Sequence, residues 1–369
     1  MKILFVITGL SVGGAESLVI SLADSLAERG HSICICYLTG EALLLPKNKS
    51  IKVVGLGMKN IFGIFGAYCK FFSLLRNFKP DIVHGHMFHA NILVRLARLS
   101  VNIPRLICTA HSSDEGGRLR MLAYRVTDCL TDISTNVSEE AVDAFIKKRA
   151  VKSGRMISIH NGISTQKFKF NECERARIKK ELNVENKQMI LAVGRLVEAK
   201  DYNNLLNAIF LLKDNKNNIK VLIAGDGPLR QELQGLIYKL RLEDYVDFLG
   251  IRDDIPALMS ATDVFVLSSA WEGFGLVVAE AMACQRVVVA TDCGGVKEVL
   301  GSAGFLVQPR QAPELAEALC KALDLSTQYS DTLGKAARQR VQSYYSLDAA
   351  VDKWLKLYSC PIQSIGSLD

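Results

Sequence analysis

Short runs of apolar, largely β-branched residues alternate with helical patterns along the whole chain. Thirteen runs read as strands: KILFVITG, SICICYLTG, IKVVGLG, DIVHGH, RLICTAH, DISTNVS and MISIHNG, then MILAVGRL, KVLIAGDG, VDFLGI, DVFVLSS, RVVVATDC and GFLVQP. Many of them end in Gly, His, Asn or Ser, the residue types that serve ligands at the carboxyl ends of parallel strands. The alternation predicts an α/β fold in which helices cover two parallel sheets.

The chain is long enough for two domains. At 369 residues it exceeds the usual size of a single core. An Asn-Gly turn in HNGISTQKF precedes the charged helix NECERARIKKEL, so we place the break there. This predicts an amino-terminal domain over 1–163 and a carboxyl-terminal domain over 164–346. An amphipathic helix within 347–369 is expected to pack back on the first domain.

Composition is that of a globular protein, with 49% hydrophobic and 22% charged residues. The apolar run in MKILFVITGL is short and lacks a cleavage pattern, so it is interpreted as the first strand rather than a signal peptide. No uncharged apolar stretch approaches the roughly 18 to 20 residues that cross a bilayer. The ten cysteines are scattered, without metal or disulfide spacing. These features predict a cytoplasmic protein.

The positive charge is concentrated in the first half. Through Ile163 there are 20 Lys and Arg against 12 Asp and Glu, whereas the remainder has 25 against 26. The excess predicts an anionic partner for that half. Within it, GIFGAYCKFFSLLRNFK places Lys70, Arg76 and Lys79 among apolar residues. This stretch is either an interfacial helix on an anionic membrane or a helix that covers the sheet. No segment interleaves aromatics and cations as nucleic-acid modules do.

Several strand ends carry groups suited to phosphate. After the first strand, GLSVGGAES places Gly13 and Gly14 before a helix, where backbone amides can face an anion, although a plain tight turn fits equally. In GRLVEAKDYNNLL, Arg195 follows a strand directly and Lys200 comes five residues later. A guanidinium fork and an ammonium group together suit a diphosphate.

The stretch WEGFGLVVAE joins two carboxylates to a helix start. Glu272 lies on the loop, the glycine-rich segment 273–276 follows, and Glu280 falls about one turn into the predicted helix. Free amides at that helix start can contact a phosphate. One carboxylate can accept two hydrogen bonds from a vicinal diol such as ribose, and the other can hold sugar hydroxyls or favour positive charge at an anomeric carbon.

Taken in order, these motifs resemble the retaining glycosyltransferases of family 4. The resemblance rests on GGAES, HNGI, GRLVEAKDY, GDGP, FLG, SSAWEGFGLVVAEAMA and TDCGG, and it covers roughly Met1 to Phe305. It implies the GT-B fold, in which two Rossmann-like, doubly wound domains face each other across a cleft. It also implies a nucleotide-sugar donor bound in that cleft.

The resemblance implies roles for particular residues. Glu280 would bind the ribose, Arg195 and Lys200 the diphosphate, and Glu272 the donor sugar. Gly13 and Gly14 would supply amides from the first domain, and His111 in TAHSSDEGG matches the family histidine near the transferred sugar. The remaining donor-binding residues expected from the motifs are Gly225, Ile251, Arg252, Gly273, Phe274, Gly275 and Leu276.

No metal or other cofactor is expected. The chain has no Asp-x-Asp, the usual clamp for a divalent ion on a nucleotide diphosphate, so cations and helix N-termini would carry the leaving-group charge. His84, His86 and His89 in HGHMFHA are interpreted as structural, because they lack the acidic or cysteine partners of a zinc site.

The sequence therefore predicts transfer of a hexose or N-acetylhexosamine from a nucleotide sugar, UDP-linked, to an undecaprenyl-diphosphate-linked glycan. The similarity to bacterial O-antigen and capsule enzymes in AHSSDEGGRLRMLAYRVTD and TNVSEEAVDAFI suggests a role in lipopolysaccharide or capsule synthesis, peripheral on the inner face of the cell membrane. Two alternatives stay open: a sugar-nucleotide 2-epimerase of GT-B fold, and an NAD-dependent Rossmann dehydrogenase, for which the G-x-G-x-x-G spacing is lacking.

Overall fold

All thirteen predicted strands are present, in two separate parallel sheets. The structure is a computed structural model that describes residues 1–11, 13–58 and 64–359. The chain divides into two compact units, one formed by Met1–Gly162 with the terminal segment from Leu347, the other by Ile163–Ser346. Each unit is described by itself below.

The first unit contains a seven-stranded sheet in the order β3-β2-β1-β4-β5-β6-β7. The strands are β1 (Lys2–Ile7), β2 (Ser32–Tyr37), β3 (Lys52–Gly55), β4 (Ile82–His86), β5 (Arg105–Thr109), β6 (Ile133–Asn136) and β7 (Met156–Ser158). The helices are α1 (Gly14–Glu28), α2 (Ile64–Phe78), α3 (Phe88–Ala97), α4 (Arg118–Thr127), α5 (Glu139–Lys147) and α14 (Leu347–Ser359). The order reverses between β1 and β4, as in doubly wound sheets.

Helices cover both faces of this sheet, because its strands alternate two sets of buried apolar side chains. One face packs on α1 and α14, with Trp354 almost completely buried, and the other face packs on α2 and α3. The apolar side of α2, including Phe71 and Leu75, is directed into this second core, while Lys70 and Arg76 are exposed. The apolar residues of α2 therefore cover the sheet.

The second unit contains a six-stranded parallel sheet in the order β10-β9-β8-β11-β12-β13. Its strands are β8 (Gln188–Val193), β9 (Ile219–Ala224), β10 (Val246–Gly250), β11 (Val264–Leu267), β12 (Val287–Thr291) and β13 (Phe305–Val307). Its helices are α6 (Glu172–Glu181), α7 (Tyr202–Leu212), α8 (Arg230–Leu240), α9 (Ile255–Ala261), α10 (Leu276–Ala283), α11 (Val296–Leu300), α12 (Ala312–Leu323) and α13 (Thr327–Tyr344). A large core joins one sheet face to α7, α8 and α12.

Among the described residues, none of the helices is both long and apolar enough to traverse a bilayer. The two parallel sheets with helices on their faces are the α/β fold predicted from the alternation of strands and helices.

Candidate active site

Several of the predicted site residues of the second unit lie in the loops that follow β8 and β11, while Gly225, Ile251 and Arg252 follow β9 and β10. Strands β8 and β11 are neighbours, and the strand order reverses between them. Open α/β sheets bind ligands at such a reversal, because the connecting loops part there and leave a crevice. Arg195 and Lys200 follow β8, and Glu272 follows β11. The topology thus brings together residues that lie about 70 positions apart in the chain.

Lys200 and Glu272 form a close ion pair. The Nζ of Lys200 lies 2.5 Å from Oε1 of Glu272, and the Oγ of Ser269 donates to the same oxygen at 2.7 Å. Ser268 donates to the carbonyl of Lys200 at 2.9 Å, which ties the two loops together. Both charged side chains are mostly buried. The pair therefore holds a fixed positive and a fixed negative charge side by side.

Glu280 lies in the second turn of α10 and is only partly exposed. Within the described residues its carboxylate accepts no hydrogen bond, and the charged groups that act on it are Lys167 and Lys200. Burial raises the pKa of Glu280 to about 7, against the smaller opposing effect of the two lysines. A buried carboxylate with unused acceptor capacity is suited to a ligand that brings hydroxyl donors.

Arg195 and Arg252 differ in what they can offer a ligand. The Arg195 side chain is exposed and contacts no acidic group of the described chain. The guanidinium of Arg252 instead binds Asp254 at 2.6 Å and Glu181 at 3.0 Å, and these carboxylates raise its pKa. Arg252 is therefore held by the protein, whereas its neighbour Ile251 is largely exposed at the end of β10.

Two glycines permit close backbone approach at this site. A Cβ on Gly225 would lie 2.0 Å from the carbonyl oxygen of Gly194, next to Arg195. A Cβ on Gly294 would lie 2.1 Å from the carbonyl oxygen of Glu272. Both residues have positive φ, +142° and +56° respectively. Glycine at 294 therefore fixes the position of the Glu272 loop.

In the segment 273–276, which leads into α10, the phenylalanine side chain packs inside the protein and the glycines shape the backbone. Phe274 is buried and packs edge-to-face on Tyr345, with ring centroids 5.6 Å apart. The carbonyl of Gly273 accepts from the amide of Gly295 at 3.2 Å. Gly275 caps the helix in the left-handed conformation and Leu276 begins it. The start of α10 thus presents backbone amides beside Glu272.

In the first unit, an acidic side chain occupies the glycine turn. Gly13 caps α1, and the Glu16 carboxylate lies so near that a Cβ on Gly13 would come within 2.4 Å of its Oε2. Ser11 donates to the other carboxylate oxygen at 3.0 Å. The sequence indicated that Gly13 and Gly14 face an anion, and the anionic group beside them in the structure is Glu16.

His111 follows β5 in the first unit and belongs to a buried row of histidines. Its Nε2 lies 3.1 Å from Nδ1 of His86, so one of the two nitrogens carries the shared proton. Burial lowers the pKa of His111 to about 4 and that of His86 well below its ordinary value. Both rings are therefore neutral at physiological pH. Within the described residues, Nε2 of His86 is buried without a hydrogen-bond partner, and Nδ1 is the His111 nitrogen that remains for a ligand.

His84 completes the row with a structural role. Its Nδ1 bonds the Tyr358 hydroxyl at 2.8 Å and its Nε2 bonds Thr109 at 2.7 Å. Its ring packs on Trp354 and lies 4.0 Å from the His86 ring, centroid to centroid. In the part of the chain that the structure describes, no three His, Cys, Asp or Glu side chains cluster as metal ligands would.

Four contributors were not predicted from the sequence: Ser269, Gly294, Glu16 and His86. Ser269 and Gly294 lie inside motifs that were singled out, SSAWEGFG and TDCGG, so their signal was adjacency to Glu272 and to a glycine turn. Glu16 and His86 lie in GGAES and HGHMFHA, which were also quoted, but nothing in those stretches indicates which side chains they contact. Their roles depend on side chains that meet only in the folded unit.

Both halves of the chain match models of known protein families. Residues 12–167 match the model described as Glycosyltransferase Family 4, and residues 174–340 match Glycosyl transferases group 1. An alpha-D-kanosaminyltransferase of Streptomyces kanamyceticus is 31% identical over 333 residues, which cover 82% of this chain and 85% of that protein.

Two further similarities span nearly the whole chain. A Campylobacter jejuni alpha-1,4-N-acetyl-D-galactosaminyltransferase, named for an undecaprenol-linked diphosphate substrate, is 27% identical and covers 97% of this chain and 98% of its own. The crystal structure of Anabaena HepE with UDP and glucose superimposes with a TM-score of 0.86 at 23% identity, covering 97% of this chain and 99% of that one. The chain is thus an enzyme of the glycosyltransferase class and belongs to the family 4 and group 1 glycosyltransferases.

Proposed function

We propose that this enzyme transfers a hexose or N-acetylhexosamine, with retention at the anomeric carbon, from a UDP-sugar to an undecaprenyl-diphosphate-linked glycan. The observation that carries the proposal is the group formed by the Lys200–Glu272 ion pair and the unpartnered Glu280 carboxylate at the β8/β11 reversal. The product would enter a bacterial surface polysaccharide such as O-antigen or capsule.

The residues of the second unit divide the donor among them. Glu280 accepts hydrogen bonds from the ribose diol, while Arg195 and Lys200 meet the diphosphate. When the diphosphate arrives, Lys200 exchanges the Glu272 carboxylate for phosphate oxygens. Glu272 keeps the hydrogen bond from Ser269 to Oε1 at 2.7 Å and directs its other oxygen, Oε2, to hydroxyls of the donor sugar. The amides at the start of α10 add fixed dipoles.

Transfer proceeds by attack on the front face. The bond between the anomeric carbon and the diphosphate oxygen breaks, and the acceptor hydroxyl oxygen bonds the same face of that carbon. The leaving phosphate oxygen takes the acceptor proton. No divalent ion takes part, because Arg195, Lys200 and peptide dipoles neutralise the departing charge. His111, neutral and fixed by His86, contacts the transferred sugar through Nδ1.

The relatives support this choice of substrates. The Anabaena structure is described as a complex with UDP and glucose, and two Campylobacter jejuni relatives are named for undecaprenol diphosphate glycans. An Erwinia amylovora relative is named for amylovoran biosynthesis. The Campylobacter and Erwinia relatives are named as glycosyltransferases, which favours transfer over the epimerase and dehydrogenase alternatives.

A mass-spectrometric assay tests the proposal directly. The purified chain is incubated with UDP-, GDP- and ADP-sugars, each with and without extracted undecaprenyl-diphosphate glycans. We expect a mass increase of one hexose or N-acetylhexosamine on the lipid-linked acceptor, with UDP released. An epimer has the same mass as the original donor, so the acceptor-free reactions are also followed by proton NMR; inversion at C2 of the donor sugar without any acceptor would instead establish the epimerase alternative.

A further inference from the structure

Three consecutive helices of the first unit carry cations but no acids. The described helices α2, α3 and α4 contain no aspartate or glutamate, while Lys70, Arg76, Arg118 and Arg125 are exposed on them. Helices α3 and α4 are in contact: the Arg95 side chain of α3 donates a hydrogen bond to the carbonyl of Tyr124 in α4. The described side chains of these three helices therefore contribute only positive formal charge to the surface of the unit.

One of these helices exposes apolar side chains in a row. On α4, the side chains of Leu119, Leu122 and Val126 are 83%, 54% and 62% exposed. With about 100° between successive helical residues, they share one arc of the helix with Arg118 and Arg125. We call these five residues the α4 patch. Large apolar side chains grouped on a surface with cations beside them indicate a binding face.

The opposite side of α4 is fixed in the protein. Met121 and Tyr124 are buried in a core shared with α5, and Arg120 lies over the Phe88 ring at 5.0 Å. The α4 patch therefore cannot turn inward without breaking this packing. On α3, Leu96 and the adjoining Leu99 are also exposed.

The three aspartates that flank α4 in the chain each have a cationic partner within the unit, which reduces their effect on the α4 patch. Asp114 binds Lys148 at 2.9 Å, Asp128 binds Arg155 at 3.1 Å, and Asp132 binds Arg98 at 2.8 Å.

We infer that the α4 patch docks this enzyme on an anionic bilayer surface, with the leucines and valine entering the interface and the two arginines meeting lipid phosphates. A bilayer fits because it supplies apolar depth and negative charge together. The inference rests on the proposed function, because a lipid-linked acceptor is confined to a bilayer surface and the enzyme has to reach it there.

The docked helix is coupled to the predicted catalytic region. Glu115 accepts from the backbone amide of His111 at 2.9 Å and from the Tyr124 hydroxyl, while Arg120 donates to its carbonyl at 2.8 Å. α4 begins seven residues after His111. The α4 patch is therefore linked through Glu115 to the loop that carries His111.

The inferred membrane contact lies on α4 and not on α2, the helix that the sequence pattern had singled out. The apolar side of α2 packs against the sheet. Among the α2 side chains that the structure describes, Phe65 is the large apolar one that is exposed.

Vesicle flotation of the full-length chain tests the inference. Phosphatidylcholine vesicles are compared with vesicles that also contain phosphatidylglycerol, at low and high salt. We expect wild type to float with the anionic vesicles and to be released by salt. The variant Leu119→Ser, Leu122→Ser, Val126→Ser should bind more than about tenfold more weakly. Arg118→Gln and Arg125→Gln should each cost about fivefold, on anionic vesicles alone.

Matched controls separate this surface from general hydrophobicity. Phe65→Ser on α2 and Leu211→Ser on α7 remove other exposed apolar side chains and should leave flotation unchanged. UDP protection against thermal unfolding should be the same in all variants, which shows that each is folded. Loss of flotation in Phe65→Ser but not in the α4 variant would overturn the assignment.

The failures are distinguishable. If wild type transfers sugar to lipid-linked acceptor yet ignores anionic vesicles, the inference is wrong and the proposed function stands. If it floats through α4 but transfers to no lipid-linked acceptor, the docking surface stands and the proposed function is wrong. If the α4 substitutions instead dissociate a dimer while flotation is absent, the patch binds a second copy and the inference is overturned.

Discussion

At the scale of single residues, Glu280 has a feature that stability measurements can detect. Its pKa is raised from 4.5 to about 7 by burial, so the folded state binds a proton more tightly than the unfolded state. A carboxylic acid with a raised folded pKa favours folding at low pH, and this contribution is lost as pH rises from 4.5 to 7. At higher pH its ionised form destabilises the protein.

Glu280→Gln should therefore stabilise the protein while impairing its function. Above pH 7 the free energy of unfolding should rise by about 1 to 3 kcal/mol, and the gain should vanish below pH 4.5. UDP-sugar affinity should fall, because the amide supplies one acceptor oxygen where the carboxylate has two. Urea unfolding at pH 5 and pH 8, with calorimetric titration of UDP, measures both. The exposed Glu185→Gln is the control and should change neither.

Lys200→Ala tests the exchange of partners at the ion pair. Removing the ammonium deprives the diphosphate of a charged contact worth about 1.5 to 3 kcal/mol, so the donor Kd should rise about tenfold to hundredfold. It also leaves Glu272 facing the phosphate unneutralised. Adding Glu272→Ala to Lys200→Ala should then recover part of the lost UDP affinity, measured by a double-mutant cycle. Strict additivity would contradict coupling, and the exposed Lys239→Ala should have no effect.

At the scale of elements, the loop between β12 and α11 supports the loop that bears Glu272. Gly294→Ala should disturb both loops, because φ at residue 294 is +56° and the added Cβ would lie 2.1 Å from the Glu272 carbonyl oxygen. Gly154→Ala is the matched control, because φ there is +77° and a Cβ would meet nothing within 4 Å.

Both glycine substitutions should cost about 1 to 2 kcal/mol of stability for the left-handed conformation. Gly294→Ala should in addition lower kcat/KM for the donor more than about tenfold through displacement of Glu272. Circular dichroism confirms folding, and initial-rate kinetics give the second quantity. Equal kcat/KM in the two variants would show that the Glu272 loop does not depend on Gly294.

The terminal helix α14 has a comparable supporting role in the first unit. Trp354 is buried against His84, with ring centroids 4.5 Å apart, and Tyr358 bonds the same histidine at 2.8 Å. Trp354→Ala should cost about 3 to 5 kcal/mol of unfolding free energy. Chemical denaturation measures this against Lys356→Ala, an exposed neighbour that should be neutral. A loss below about 1 kcal/mol would mean that α14 contributes little to that core.

At the scale of the whole molecule, local patterns predicted the two parallel sheets, and the order of the motifs supplied the GT-B class. Each strand and most helices were visible as apolar periodicity, and Glu272 and Glu280 were visible because they flank a glycine turn. The ion pair of Lys200 with Glu272 could not be predicted from the sequence, because it depends on the spatial adjacency of β8 and β11. His111 was predicted, but its pairing with His86 was not, because the pairing depends on the adjacency of β4 and β5. The direction that α2 faces also required tertiary contacts.

The central claim is that fixed cations and peptide dipoles neutralise the departing diphosphate without a divalent ion. The most direct measurement is the rate of sugar transfer to lipid-linked acceptor by metal-free enzyme in excess EDTA, compared with the rate in added Mg²⁺ or Mn²⁺. We predict equal rates, and a further loss in Lys200→Ala that no metal restores. Abolition of product by EDTA, with recovery on adding Mg²⁺ or Mn²⁺, would contradict the claim.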